Sequence, residues 1–214
     1  MKFLIMSNGD YGDINWYRSR KDEFDQVVLV DGGANQASRI GVVPRWVVGD
    51  MDSIIPEAWD YAAGLETEFV AVPCEKDETD TQLALDLVAR EGASEVVIWG
   101  GIGSRIDHTL SNLFNAASLI AQGIMVRFES PEETIYIIDD FLQLPGNAGE
   151  TVSLIAMGED VQGVTLQGFK YPLTRETLFC HRQYGVANII TSPDPTIDIE
   201  SGIVAVIHYQ SLKD

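Results

Sequence analysis

Four aspartates, Asp50, Asp52, Asp77 and Asp80, fall in two short acidic segments, Gly49-Asp50-Met51-Asp52-Ser53 and Lys76-Asp77-Glu78-Thr79-Asp80. Carboxylates gathered this way offer the hard oxygen ligands that magnesium takes. If the chain stays extended through Asp50 and Asp52, the period of two puts both side chains on one side, where they can share a cation. The same residues also suit solvated turns, in which Asp is common. Asp80 also suits the first turn of a helix, where a carboxylate meets the positive end of the helix dipole.

A second constellation reads Gly100-Gly101-Ile102-Gly103-Ser104-Arg105-Ile106-Asp107-His108-Thr109, and a helical pattern follows through Leu113, Ala117 and Ile120. A glycine loop opening a helix presents backbone N–H groups to an anion, and the dipole adds to the attraction. The Arg105 guanidinium can grip phosphate oxygens in pairs, which an ammonium cannot. Asp107 equally suits a helix cap, and His108 an exposed position in the first turn. The loop is neither a Walker P-loop nor a full dinucleotide fingerprint. With no GxSxG elbow and no Cys/His pairing by motif, covalent nucleophilic catalysis has little support. Carboxylates, a glycine loop and an arginine are instead the parts that phosphoryl transfer needs, since it depends on positioning and charge neutralisation.

These segments follow predicted strands. Residues 2–6, 26–30, 45–48, 68–72 and 95–99 are nearly continuous apolar runs, which marks strands buried on both faces. Helical patterns alternate with them. The clearest covers 79–90, with Thr79 and Gln82 as a capping box, Gly92 beyond its end and Leu83, Ala84, Leu87 and Val88 as the buried stripe. Strands alternating with helices predict an α/β domain with a doubly wound, mostly parallel sheet, expected over residues 1–123. Ligands of such sheets bind beyond the carboxyl ends of the strands, which is where the acidic and glycine-rich loops fall. From 124 to 214 the pattern turns to short β segments, at 125–129, 134–138, 150–156, 161–166, 177–181 and 203–209, with turn signals at Pro145-Gly146-Asn147 and Met157-Gly158-Glu159. A smaller all-β sandwich is expected there.

The bulk properties narrow the partners. With 14 basic and 33 acidic residues the net charge is −19, which repels nucleic acid and anionic membrane surfaces. An apolar fraction of 45% over 214 residues is enough for packed cores. The apolar run at the N-terminus is broken by Ser7, Asn8, Gly9 and Asp10, too soon for a signal segment or a membrane span. Cys74 and Cys180 lie far apart and outside any metal-site spacing, so a cytoplasmic protein with reduced, buried thiols is expected.

In order along the chain, Asp31-Gly32-Gly33-Ala34-Asn35, Gly49-Asp50-Met51-Asp52-Ser53, Asp77-Glu78-Thr79-Asp80-Thr81 and Gly103-Ser104-Arg105-Ile106-Asp107-His108-Thr109-Leu110 resemble the signature loops of the thiamine pyrophosphokinase family. Gly168-Phe169-Lys170-Tyr171-Pro172-Leu173 is similar to its G-x-K-Y-P-L segment. The resemblance implies transfer of a pyrophosphoryl group from ATP to the hydroxyl of thiamine, with magnesium as cofactor, AMP as the second product and β-phosphorus as the centre attacked. It implies that Asp50, Asp52, Asp77 and Asp80 hold magnesium or orient the alcohol, one of them taking its proton. Asp31, Gly32, Asn35, Gly103, Arg105, Asp107 and His108 would line the nucleotide and phosphate site. The family's Ser-Asn-Glu element near the thiamine site corresponds to Ala187-Asn188-Ile189, so Asn188 alone is kept for acceptor binding. In the family that pocket forms between subunits, which implies a homodimer.

The loss of a hydroxyl at 187 and a carboxylate at 189 keeps open another heterocyclic alcohol as acceptor, such as a hydroxymethylpterin. A protein that senses ATP without turnover and a metal-dependent phosphohydrolase are the other readings. The complete aspartate set speaks against the first, and product analysis separates the second.

Overall fold

The computed structural model describes residues 1–72, 77–103 and 105–210. Cys74, Lys76 and Ser104 lie outside them. Two compact units divide the chain, Met1–Pro131 and Glu132–Asp214.

The first unit alternates strand and helix: β1 Lys2–Met6, α1 Ile14–Arg20, β2 Gln26–Val30, α2 Ala37–Ile40, β3 Trp46–Gly49, α3 Pro56–Ala63, β4 Glu68–Ala71, α4 Asp80–Arg90, β5 Glu95–Trp99, α5 Ile106–Ile120 and β6 Met125–Glu129. The strands lie in the order β4-β3-β2-β1-β5-β6, each paired in parallel with its neighbours. The strand at 125–129, grouped by its sequence with the second domain, is the last of this sheet, because it pairs in parallel with β5. The unit therefore closes at Pro131 and not at residue 123.

Alternation along each strand serves both faces. Leu4, Met6, Leu29, Val47, Val97 and Trp99 form one cluster with Tyr17 of α1, Ala37 and Ile40 of α2, and Ala58 and Ala62 of α3. Their strand neighbours Phe3, Ile5, Val28, Val48, Val96 and Ile98 are as fully buried, and α4, which packs on β2, β3 and α5, sits with that second set. Trp99 centres the first cluster, its ring 5.0 Å from Tyr17 and 5.1 Å from Phe24; truncating such a side chain costs roughly 3–5 kcal/mol.

The expected cap of α4 is present: Thr79 is the N-cap and its side chain accepts from the Gln82 N–H. The stripe is rotated from the expected one, with Thr81, Ala84, Leu85 and Val88 buried and Leu83 and Leu87 half-buried. Six adjacent or near-adjacent apolar residues, Leu83 to Leu85 and Leu87 to Ala89, fit more than one phase of a helix, and contact with the sheet selects among them.

The second unit is β-rich, with no helix among its described residues: β7 Glu133–Ile138, β8 Phe141–Gln143, β9 Thr151–Gln167, β10 Leu173–Leu178, β11 Asn188–Ile189, β12 Thr196–Asp198 and β13 Ser201–Tyr209. Its core gathers Leu144, Leu154, Val164, Leu166, Ile197 and Val206. The two segments expected at 150–156 and 161–166 are one strand. Met157-Gly158-Glu159 does not reverse the chain; Gly158 takes φ +78° and the pairing with β13 shifts register there, a bulge that bends β9 without ending it. Before the bulge β9 pairs with β13 and β11, and beyond it with β10 and β12. Cys180, expected to be buried, is half-exposed after β10.

Candidate active site

The strand order reverses between β1 and β5: the chain builds outward from β1 to β4, then returns to lay β5 on the other side of β1. At such a switch point the loops leaving adjacent strands diverge and open a crevice. A cleft of about 700 Å³ lies there, lined by the loops after β1, β2, β3 and β5 and the first turns of α4 and α5.

The acidic side comes from β2 and β3. One carboxylate oxygen from each of Asp31, Asp50 and Asp52 lies within 4.8 Å of the others. The chain is not extended here, as the sequence reading required, because Met51 adopts φ +69°. The turn nevertheless brings the two carboxylates together, with the Asp52 N–H donating to Asp50 Oδ1 at 3.3 Å. Ser53 ties the group: its hydroxyl donates to Asp52 Oδ1 at 2.9 Å and its N–H to Asp31 Oδ1 at 3.4 Å. Gly49 permits this approach, since a Cβ on it would lie 3.0 Å from Asp31 Cβ. Asn35 braces the same turn from outside the cleft, donating to the Ser53 carbonyl and accepting from the Ile55 N–H, both at 3.0 Å. Gly32 also packs behind the lining; a Cβ there would sit 2.4 Å from Asn8 Nδ2.

Asp80 opens α4 and lines the cleft, half-buried. Asp77 is exposed, and neither the cleft lining nor the three-carboxylate group contains it.

Opposite lies the glycine loop before α5. Thr109 and Asn112, both buried in α5, fasten it: the Gly103 N–H donates to Thr109 Oγ1 at 3.2 Å, and Asn112 Nδ2 donates to the Gly101 carbonyl at 2.8 Å. Arg105, expected to clamp phosphate, holds Asp107 instead, with Nε to Oδ1 at 3.1 Å and Nη2 to Oδ2 at 2.6 Å. Asp107 is not the helix cap; it sits in the first turn. The Arg105 hydrogen bond, aided by the His108 backbone, keeps its carboxyl well below the usual carboxylate range. His108 is exposed at the cleft edge.

Sequence reasoning missed the Ser7–Tyr11 loop. Ser7, Asn8, Gly9 and Asp10 line the cleft, and the signal was available: a small, polar run directly after the first apolar strand. Gly9 meets the glycine loop face to face, since a Cβ on it would lie 2.3 Å from the Gly100 carbonyl oxygen. The buried Tyr11 hydroxyl shares its hydrogen between the carbonyls of Ser7 at 2.9 Å and Trp99 at 3.2 Å, and burial pushes its pKa up.

In the second unit Asn188 is buried, and its side chain is consumed by backbone. Oδ1 accepts from the Tyr171 N–H at 3.0 Å, and Nδ2 donates to the Tyr171 carbonyl at 2.8 Å. Ala187 before it takes φ +58°, its N–H donating to Ser153 Oγ at 3.0 Å.

An acidic pocket facing a glycine loop at the switch point of a parallel sheet defines the class of α/β proteins that handle nucleotide phosphates. Within that class, the family models for the thiamin pyrophosphokinase catalytic domain and the thiamin pyrophosphokinase vitamin B1 binding domain match residues 17–128 and 140–204. The chain belongs to the thiamin pyrophosphokinase family. It is 27% identical over 197 residues to the thiamine pyrophosphokinase of Bacillus subtilis, covering 87% of this chain and 88% of that one. The crystal structure of thiamine pyrophosphokinase from Bacillus subtilis superposes with a TM-score of 0.87 at 25% identity, over 99% of this chain and 100% of that one. The thiamin pyrophosphokinase from Candida albicans shares the fold, with a TM-score of 0.79 at 16% identity over 98% of this chain and 90% of that one.

Proposed function

We propose that this chain transfers the pyrophosphoryl group of ATP to the hydroxyl of thiamine, giving thiamine diphosphate and AMP. The observation that carries the reading is that Asp31 and Asp50, grouped with Asp52, line one cleft with the glycine loop, in a chain that matches both domains of the family.

The donor set fits magnesium. Three carboxylates supply only hard oxygen atoms, and ligand atoms around an octahedral ion at about 2.1 Å stand about 3–4 Å apart, so small side-chain movements from 4.8 Å close the set. Asp31, Asp50 and Asp52 would hold the ion, and Asp80, across the cleft, is proposed as a further ligand or orienting group. Bound there, the ion supplies charge neutralisation of the polyphosphate. Asp31 thus joins the metal set, and Asp77, outside the cleft lining and the carboxylate group, has no part in it.

The glycine loop and the start of α5 would receive phosphate oxygens on backbone N–H groups. Gly103 serves by shaping the loop through its bond to Thr109, His108 stands at the cleft edge, and Arg105 joins once it exchanges Asp107 for phosphate. The thiamine hydroxyl oxygen forms a bond to β-phosphorus as the bond from β-phosphorus to the bridging oxygen of AMP breaks. A cleft carboxylate takes the hydroxyl proton. Gly32 and Asn35 serve by fixing the loops that carry Asp31 and Asp50. Asn188 serves the acceptor through the Tyr171 backbone it grips.

The reading includes a doubly wound first domain for nucleotide, a β-sandwich second domain for thiamine and dimerisation, a homodimer and a cytoplasmic setting. No described helix is long and apolar enough to cross a membrane. The match to the vitamin B1 binding domain favours thiamine over a pterin alcohol. Incubation with ATP, magnesium and thiamine, followed by mass spectrometry, should give thiamine diphosphate and AMP in equal amounts. AMP alone would mean another acceptor, and no AMP would refute the transfer.

A further inference from the structure

Resting on the nucleotide-transfer reading above, we infer that Ser7 is a further phosphate-binding residue, its hydroxyl donating a hydrogen bond to an oxygen of the nucleotide's phosphate chain. Ser7 follows β1, the strand beside the switch point, and lines the cleft while only 4% exposed. Its backbone is fully used: the N–H donates to the Trp99 carbonyl at 2.8 Å, and the carbonyl accepts from Tyr11. Its Oγ, by contrast, is buried with no hydrogen-bond partner.

Four other hydroxyls around the cleft are satisfied. Thr109 Oγ1 bonds Gly103, Thr79 Oγ1 accepts from Gln82, Ser53 Oγ donates to Asp52 and Ser111 Oγ accepts from Asn115. An unsatisfied buried hydroxyl costs free energy that a packed core would avoid by using alanine, so its presence calls for a partner brought by a ligand. The Ser7–Asp10 loop packs by Gly9 onto Gly100, beside the amides that open α5. The oxygens a helix N-terminus attracts are anionic, which makes the partner a phosphate oxygen and not the adenine or ribose.

The test titrates wild-type protein, Ser7→Ala and Ser7→Cys with MgATP, AMP and adenosine by calorimetry, with a thermal melt of each ligand-free protein. Ser7→Ala should weaken MgATP about tenfold, the loss expected for one hydrogen bond to a charged oxygen. Ser7→Cys, a poor donor of similar shape, should lose as much. Adenosine affinity should not change, and the ligand-free melting temperature should hold or rise because a buried unpaired group is gone. AMP weakened alongside MgATP places the contact on the α-phosphate; AMP unchanged places it further along the chain. MgATP binding unchanged in either variant, or adenosine weakened equally, would overturn the role of Ser7. A wild-type protein that does not bind MgATP would instead defeat the functional reading itself.

Discussion

Arg105 and Asp107 form a two-point ion pair at the mouth of the cleft, both hydrogen bonds running between the ends of one guanidinium and one carboxylate. The pair occupies the same two-pronged geometry that a phosphate would accept, so Asp107 stands where the ligand is proposed to bind Arg105.

This exchange has a titration signature. The folded pKa of Asp107 is depressed, so its interaction with Arg105 is present above the unfolded value of about 3.9 and is lost as pH falls through the folded pKa. Carboxyl NMR on the ligand-free protein should show Asp107 ionised well below pH ~3.9. With MgATP bound, its pKa should return toward the ordinary range. A pKa indifferent to MgATP would mean that Arg105 never leaves Asp107. Arg105→Lys should raise the KM for ATP, since a point charge cannot copy the fork.

Asp50→Asn and Asp52→Asn should each lower kcat on the order of a hundredfold or more, measured as AMP release, while the ligand-free melting temperature stays level or rises. The rise follows from removing one of three like charges within 4.8 Å. Turnover within a few-fold of wild type in both variants would remove the cluster from the mechanism.

Asn112→Ala should cost about 1–3 kcal/mol by leaving the buried Gly101 carbonyl without its donor. Loosening the glycine loop should also lower kcat for the full reaction. Denaturant unfolding and steady-state kinetics check both; a destabilised protein with unchanged kcat would confine Asn112 to packing.

Asn188→Ala frees both backbone groups of Tyr171. The expected outcome is a raised KM for thiamine with ATP affinity unchanged, read by varying each substrate separately. Equal effects on both substrates would contradict a place for Asn188 in acceptor binding alone.

Much of this was legible in the residues. The parallel strands declare themselves because burial on both faces demands continuous apolar runs, and the α4 start because Thr79 and Gln82 carry their cap in local chemistry. The grouping of Asp31 with Asp50 and Asp52 was not legible. It depends on the left-handed Met51 and on strand adjacency, neither of which leaves a periodic trace. β8, β11 and β12 are two or three residues long, too short for alternation to register. Asn188 stands out in the sequence only by motif, because its grip on Tyr171 spans 17 residues and leaves no local pattern.

The bent strand β9 carries pairings to β10, β11, β12 and β13, while β7 and β8 reach it only through β13 and β12. Removing it would leave only the separate β7–β13 and β8–β12 pairs in the second unit, so its loss takes the sheet apart. Amide exchange along 151–167 should therefore report the whole unit opening in a single event. Assembly must wait for Tyr209 to reach Thr151, 58 positions away, a non-local pairing that slows the folding of this unit.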